Sequence, residues 1–133
     1  MQTFLPYADI VKSAKCLDVK RLGKQRVEAF QLLNVLLERT QSKGWRNHPA
    51  LKMWIGYSNG LKHYYNVILQ EWIDRGYKNT MQFEVIEGTI ILPSWFDNED
   101  FHRAHRSNLL RKDWDHYSKF FVEETTLPYI WPA

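Results

Sequence analysis

Apolar residues recur at helical spacing in two long stretches of the chain, and a third stretch is helical by its caps and composition. In VKRLGKQRVEAFQLLNVLLERTQSKG the positions Val19, Leu22, Arg26, Phe30, Leu33 and Leu37 fall on one stripe at three- and four-residue steps. Arg26 therefore interrupts an apolar face. Lys20, Lys24, Glu28 and Gln31 take the opposite face, with Arg21 and Gln25 at its border. Asp18 stands where an N-cap belongs, and Gly44 where a helix stops.

The second stretch opens at Pro49, a residue tolerated at the first helical position. Leu51, Trp54, Ile55, Leu61, Tyr65, Ile68, Leu69, Trp72 and Ile73 repeat along it, and Gly76 is the stop. This is the expected central core helix. Gly56 and Gly60, one turn apart, leave room for another backbone. The third stretch, EDFHRAHRSNLLRK, follows Asp97 or Asn98 as its cap, and Asp113 caps a short WDHYSKFF.

Between and around these lie weaker signals. PYADIVKSAKC has room for about two helical turns, and Trp45 to His48 form a link. FEVIEGTIILP, near residues 83–92, alternates loosely and is expected as a small β-hairpin or an extended loop. The prolines of TTLPYIWPA forbid a regular element, while Tyr129, Ile130 and Trp131 need something to pack on. The expectation is a compact all-α single domain over residues 1–133, with three main helices plus short ones.

Composition narrows the class. One cysteine, Cys16, forms no internal disulfide, no apolar run approaches membrane-spanning length, and MQTFLPYADIVK shows no basic stretch followed by an apolar run. A cytoplasmic monomer that does not engage membranes is expected. The net charge is only +3, but residues 1–50 carry nine Lys and Arg against four acids, whereas residues 51–100 carry four against seven. A local basic surplus suits a polyanion-facing surface, because counterion release needs several cations along one path.

Two helical segments combine cations with hydrogen-bonding side chains. Lys20, Arg21, Lys24 and Gln25 lie in the first, and Arg103, His105, Arg106, Ser107 and Asn108 in the second; with His48 these are the candidate DNA-binding residues. Arg26, on an apolar stripe, must be paired with an acid such as Asp18 or Glu71, or aimed at a ligand phosphate. Glu28 is either a surface partner of Lys24 or a general acid/base among cations. No HExxH, CxxC, P-loop, GxGxxG or GxSxG motif occurs, and no acidic cluster completes a site around His102 and His105. No metal and no organic cofactor are expected.

The run LDVKRLGKQRV, the later YSNGLKHYYNVILQEWIDRGY, and the basic third helix followed by an aromatic C-terminus resemble the small phage pyrimidine-dimer DNA glycosylases of the endonuclease V type. The resemblance spans most of the chain, and Leu17, Arg26, Val27, Leu69, Arg75 and Gly76 match best. It implies a compact helical enzyme that kinks duplex DNA, flips a nucleotide and attacks the sugar of a damaged or modified pyrimidine with an amine. A Schiff base then forms, and elimination cuts the strand. An α-amino group suits this, since an ordinary pKa of about 7.7–8.0 leaves it partly neutral and nucleophilic.

Residue by residue, Arg26 matches a family arginine beside the active site. In the ungapped register the family's catalytic glutamate falls at Gly23 and its neighbouring arginine at Leu22. The family nucleophile is the amine of a small residue exposed when the initiator Met is removed, whereas the bulky Gln2 keeps Met1 in place. The catalytic candidates are therefore Arg26, Glu28 as a displaced carboxylate with Arg21 and Gln25 before it, and Met1 as the amine, with Lys24 as the other amine. Two other readings compete: a non-catalytic module that binds DNA lesions or structures, and a modified-nucleotide-processing enzyme on the same scaffold.

Overall fold

The computed structural model describes residues 1–41, 44 and 46–132. Among these residues the protein is all-α, with six α-helices, one 3₁₀ turn and no strand. The helices are α1 (Ile10–Cys16), α2 (Val19–Leu36), α3 (Pro49–Lys52), α4 (Ser58–Asp74), α5 (Glu99–Lys112) and α6 (Trp114–Tyr117), with the 3₁₀ turn at Ser94–Asp97. Three helices are long, as expected. None is long and apolar enough to cross a membrane. The link expected from Trp45 begins outside the described residues.

Asp18 caps α2 as the sequence implies, its carboxylate accepting from the Arg21 N–H at 3.4 Å. The far end differs. The helix stops at Leu36, well before Gly44, because Glu38 adopts a left-handed φ of 57°. Its N–H bonds the Val35 carbonyl at 3.1 Å and the Arg39 N–H bonds Asn34 at 2.7 Å, a Schellman closure built without glycine.

The buried face of α2 is also turned from the expected one. Leu22, Gln25, Glu28, Ala29, Leu32, Leu33 and Val35 are buried, while Val19 is 46% and Phe30 36% exposed. The cause lies outside the helix. Residues 1–6 run along α2 without secondary structure, and their backbone groups need polar partners that only side chains can supply.

The expected helix from Pro49 to Gly76 is broken in two. His48 caps the one-turn α3, accepting from the Ala50 N–H at 3.0 Å, and α4 begins only at Ser58. Gly56, at φ 87°, turns the chain between them. Ile55 is left exposed, whereas Trp54 is fully buried and donates its indole N–H to the Thr3 hydroxyl at 3.2 Å. Gly60 does admit another backbone: a Cβ there would lie 3.1 Å from the Ile91 carbonyl oxygen. Gly76, also at φ 87°, follows α4 as its stop.

Residues 77–93 form the extended alternative, not a hairpin. Side chains of α4 hold them instead of a partner strand. Tyr65 donates to the Gln82 carbonyl at 2.7 Å, Asn66 to Glu84 at 3.0 Å, Lys62 to Val85 at 3.0 Å and Asn59 to Glu87 at 2.8 Å. Leu5, Leu17, Leu32, Leu33, Trp54, Leu61, Tyr64, Ile68, Phe101 and Tyr117 make the dense centre between α2, α4 and α5. The core sits directly behind the N-terminal segment.

Candidate active site

Residues 1–6 are laced into the fold by side chains rather than by a backbone ladder. The Gln2 N–H donates to Glu28 Oε2 at 3.1 Å, and Gln25 donates to the Gln2 carbonyl at 2.8 Å while accepting from the Phe4 N–H at 2.9 Å. Tyr64 fixes Gln25 from behind, its hydroxyl 2.6 Å from Oε1. From the other side His105 Nδ1 accepts from the Leu5 N–H at 2.9 Å, and Arg106 donates to the Pro6 carbonyl at 2.9 Å. His102 lies between the Leu5 and Phe96 carbonyl oxygens at 2.8 and 2.7 Å, so the ring makes both bonds only when doubly protonated. Every one of these bonds fixes where the chain begins.

The result is a cavity of about 290 Å³ with Met1, Gln2 and Glu28 in its wall. Phe4 and Tyr129 line it as well, and Lys20, Arg21, Lys24, Gln25 and Lys112 complete it. Glu28 is buried, and the Met1 amine belongs to the residue next to the Gln2 N–H that it holds. Lys24 approaches Glu28 only to 3.8 Å and is 71% exposed, so the pair contributes little to stability. Met1 and Glu28 thus share the wall of a recess edged by cations.

Neighbouring groups respond to this arrangement. Burial lowers the His48 ring from its ordinary value, the positive N-terminal amine lowers it further, and Glu28 opposes both. His48 therefore sits in the field of the amine and the carboxylate, with Trp131 packed edge-on at 5.9 Å. Burial pushes the Tyr129 hydroxyl up to about 12 against the pull of Arg111 and Arg21. At Asp18 burial works upward, but the Tyr117 hydroxyl and Arg21, 3.1 Å away, outweigh it and hold the carboxyl below its usual range.

A larger groove of about 970 Å³ lies between α4 and the extended segment. Phe30, Tyr65, Met81, Phe83 and Val85 line much of it, its Arg39 is bonded to Glu84 at 3.0 Å, and its Lys62 to the Val85 carbonyl. Size favours this groove, but chemistry favours the smaller cavity. Only the smaller of the two has the α-amino residue Met1 in its wall together with a carboxylate, Glu28.

The candidates from sequence separate accordingly. Met1, Glu28, Lys20, Arg21, Lys24 and Gln25 come together at the cavity, with His48 close by. Arg26 does not line it. Its guanidinium lies 4.4 Å over the Trp72 ring with Nη1 3.3 Å from Met81 Sδ, and Asp18 and Glu71 are instead paired with Arg21 and Arg75. Gly23 explains part of this: a Cβ there would lie 2.9 Å from Trp72, so the indole occupies the place of any side chain.

The residues expected on the second DNA-facing surface are largely engaged within the fold. His105 and Ser107 are completely buried, and Asn108 nearly so. Asn108 donates to the Ala104 and Leu127 carbonyls at 2.8 and 3.1 Å, and Ser107 accepts from the Leu127 N–H at 3.1 Å. Arg106 is engaged by Glu99, Glu123 and Pro6, and Arg103 bonds Glu123 at 3.0 Å. Two unpatterned segments, the N-terminal one and the C-terminal one, consume this face because their backbones need partners.

Three wall residues, Gln2, Phe4 and Tyr129, are not among the site candidates read from sequence, whereas Lys112 closes the basic segment of the third helix. The one available signal was the aromatic C-terminal run, which had to pack somewhere. Comparison with known families matches residues 1–85 to the model of pyrimidine dimer DNA glycosylases. No curated protein and no solved structure matches the chain.

Proposed function

Because the chain belongs to the pyrimidine dimer DNA glycosylase family, we propose that it excises a damaged pyrimidine from duplex DNA with the Met1 α-amine as nucleophile. Family membership carries the general activity and the DNA substrate. The assignment of roles is our reading. It rests above all on the hydrogen bond from the Gln2 N–H to Glu28, which brings the amino terminus to a buried carboxylate inside the cation-edged cavity.

In this reading the damaged nucleotide leaves the stack and its sugar meets Met1. The amine nitrogen bonds to C1′, and the glycosidic bond breaks with its electron pair departing on the base, which takes up a proton. Opening of the sugar and loss of the amine protons give an imine between Met1 and C1′. Glu28 receives a proton from the attacking amine and passes it to O4′ as the sugar ring opens, and the carboxylate so restored stabilises the positive charge on the imine. Abstraction of a C2′ proton next expels the 3′ phosphate, which is lyase chemistry. Lys20, Lys24 and Lys112 hold the flanking phosphates.

Borohydride reduces such an imine to a stable adduct. Wild-type protein and Lys24→Ala are expected to be trapped on a duplex carrying a cyclobutane pyrimidine dimer, whereas N-terminally acetylated protein is not. An adduct that persists after acetylation and maps to a lysine would remove Met1 from the mechanism.

A further inference from the structure

Gln2 is 5% exposed, yet its side chain leaves one group unused. Its Oε1 accepts from the Thr3 N–H at 2.9 Å, which fixes the amide orientation, while the buried Nε2 has no hydrogen-bond partner among the described residues. The backbone on either side is clamped by Glu28 and Gln25 at 3.1 and 2.8 Å, so the carboxamide does not swing away to find one. A buried donor without a partner is costly, on the order of 1–3 kcal/mol. Gln2 belongs to the cavity wall beside Met1 and Glu28.

We infer that the Gln2 carboxamide donates a hydrogen bond to a carbonyl oxygen of the pyrimidine held for excision, and so selects for a pyrimidine at the reaction centre. This rests on the glycosylase reading above. The division of labour in the cavity favours a base carbonyl over the other acceptors on DNA. Phosphates are served by Lys20, Lys24 and Lys112, and the sugar by Met1 and Glu28, which leaves the neutral amide for a neutral acceptor. Nε2 is closed to solvent, so the base reaches it when the wall shifts. The adjoining wall residue is Met1, an unbranched side chain with three rotatable bonds.

The test compares two substrates that differ in the base alone. Gln2→Met and Gln2→Leu remove the donor at similar size and keep a bulky second residue, so Met1 is retained. Single-turnover rates are measured for glycosidic-bond cleavage at a cyclobutane thymine dimer in a duplex, read as alkali-labile strand scission because the cyclobutane ring keeps the cleaved base on its neighbour, and for borohydride trapping on the same duplex with an abasic site. Both variants are expected to lose about 10- to 100-fold on the dimer, and at least ten times less at the abasic site, which has no carbonyl to read. Equal losses on both substrates would overturn the inference and make Gln2 a purely structural residue, as would an unchanged rate on the dimer. A wild-type protein that cleaves no glycosidic bond at the dimer would overturn the function itself, and the inference with it.

Discussion

The early turns of α2 and the middle of α5 read alike in sequence, each mixing cations with hydrogen-bonding side chains, but the fold uses them oppositely. On α2, Lys20, Arg21, Lys24, Gln25 and Glu28 surround a cavity that also holds the amino terminus. On α5, His105, Arg106, Ser107 and Asn108 are consumed by Leu5, Pro6 and Leu127. The difference is which side chains the neighbouring irregular chain engages. Such chain spends a helix's polar groups on its own backbone. On α2 it takes Gln25 and Glu28, and Met81 takes Arg26, but Lys20 and Lys24 stay exposed for a ligand. The family match over residues 1–85 contains the α2 half of the comparison and ends before α5.

The sharpest break comes at Glu28. Glu28→Gln keeps an acceptor for the Gln2 N–H but removes the charge, so the amine stays in place without its carboxylate. Adduct formation is expected to fall by about 10²–10⁴-fold, while affinity for dimer-containing duplex persists. Trapping that survives this substitution would take Glu28 out of the chemistry. The counterpart on α5 is Arg106, joined to Glu99, Glu123 and the Pro6 carbonyl. Arg106→Met should cost about 1–3 kcal/mol of unfolding free energy by leaving the Pro6 carbonyl without its donor and Glu123 with Arg103 alone. Denaturant unfolding checks this; a loss of DNA affinity at unchanged stability would return Arg106 to the DNA-binding surface.

The positions of caps and stops were legible in the sequence where a local interaction decides them. Asp18, Asn98 and Asp113 each accept from a backbone N–H at the start of the next helix, and Gly76 ends α4. What failed was whatever depends on chain without a period. Glu28 reads as the solvent face of α2 because helical periodicity assumes an apolar neighbour, whereas its neighbour is the backbone of Gln2. The same blindness assigned His105 and Ser107 to DNA. The break at Gly56 was hidden because Trp54 and Leu61 continue the apolar spacing across a turn. At the cavity, the basic half was visible from sequence, and the wall formed by Gln2, Phe4 and Tyr129 was not.

Acidity separates the two helices more gently. Burial pushes His105 down to about 3, aided by the charge of His102. Above the ordinary value of about 6.5 the ring is neutral in both folded and unfolded chains. Below it the unfolded ring takes a proton that the folded one refuses, so stability falls as pH drops toward 3, by at most about 1.4 kcal/mol per unit. Lowering the pH from 7 to 5.5 should therefore remove about 1 kcal/mol. His48, also lowered, adds in the same direction. His105→Gln retains an acceptor for Leu5 and should flatten the dependence; an identical slope would place its origin elsewhere.

The smallest effects test the comparison most directly, because they involve side chains of the same charge on the two helices. Lys20 lines the cavity and is exposed, with its ammonium available to a phosphate, whereas Arg103 is bonded to Glu123 at 3.0 Å. Each phosphate contact adds about one to the slope of log affinity against log salt concentration. Lys20→Ala and Lys112→Ala should each lower that slope by about one, with uniform weakening across DNA sequences. Arg103→Ala should leave it unchanged, since its charge is already balanced by Glu123 within the protein. Should Arg103 lower the slope as much as Lys20, the internal pair opens when DNA binds, and α5 would share the contact surface that its free structure assigns to α2.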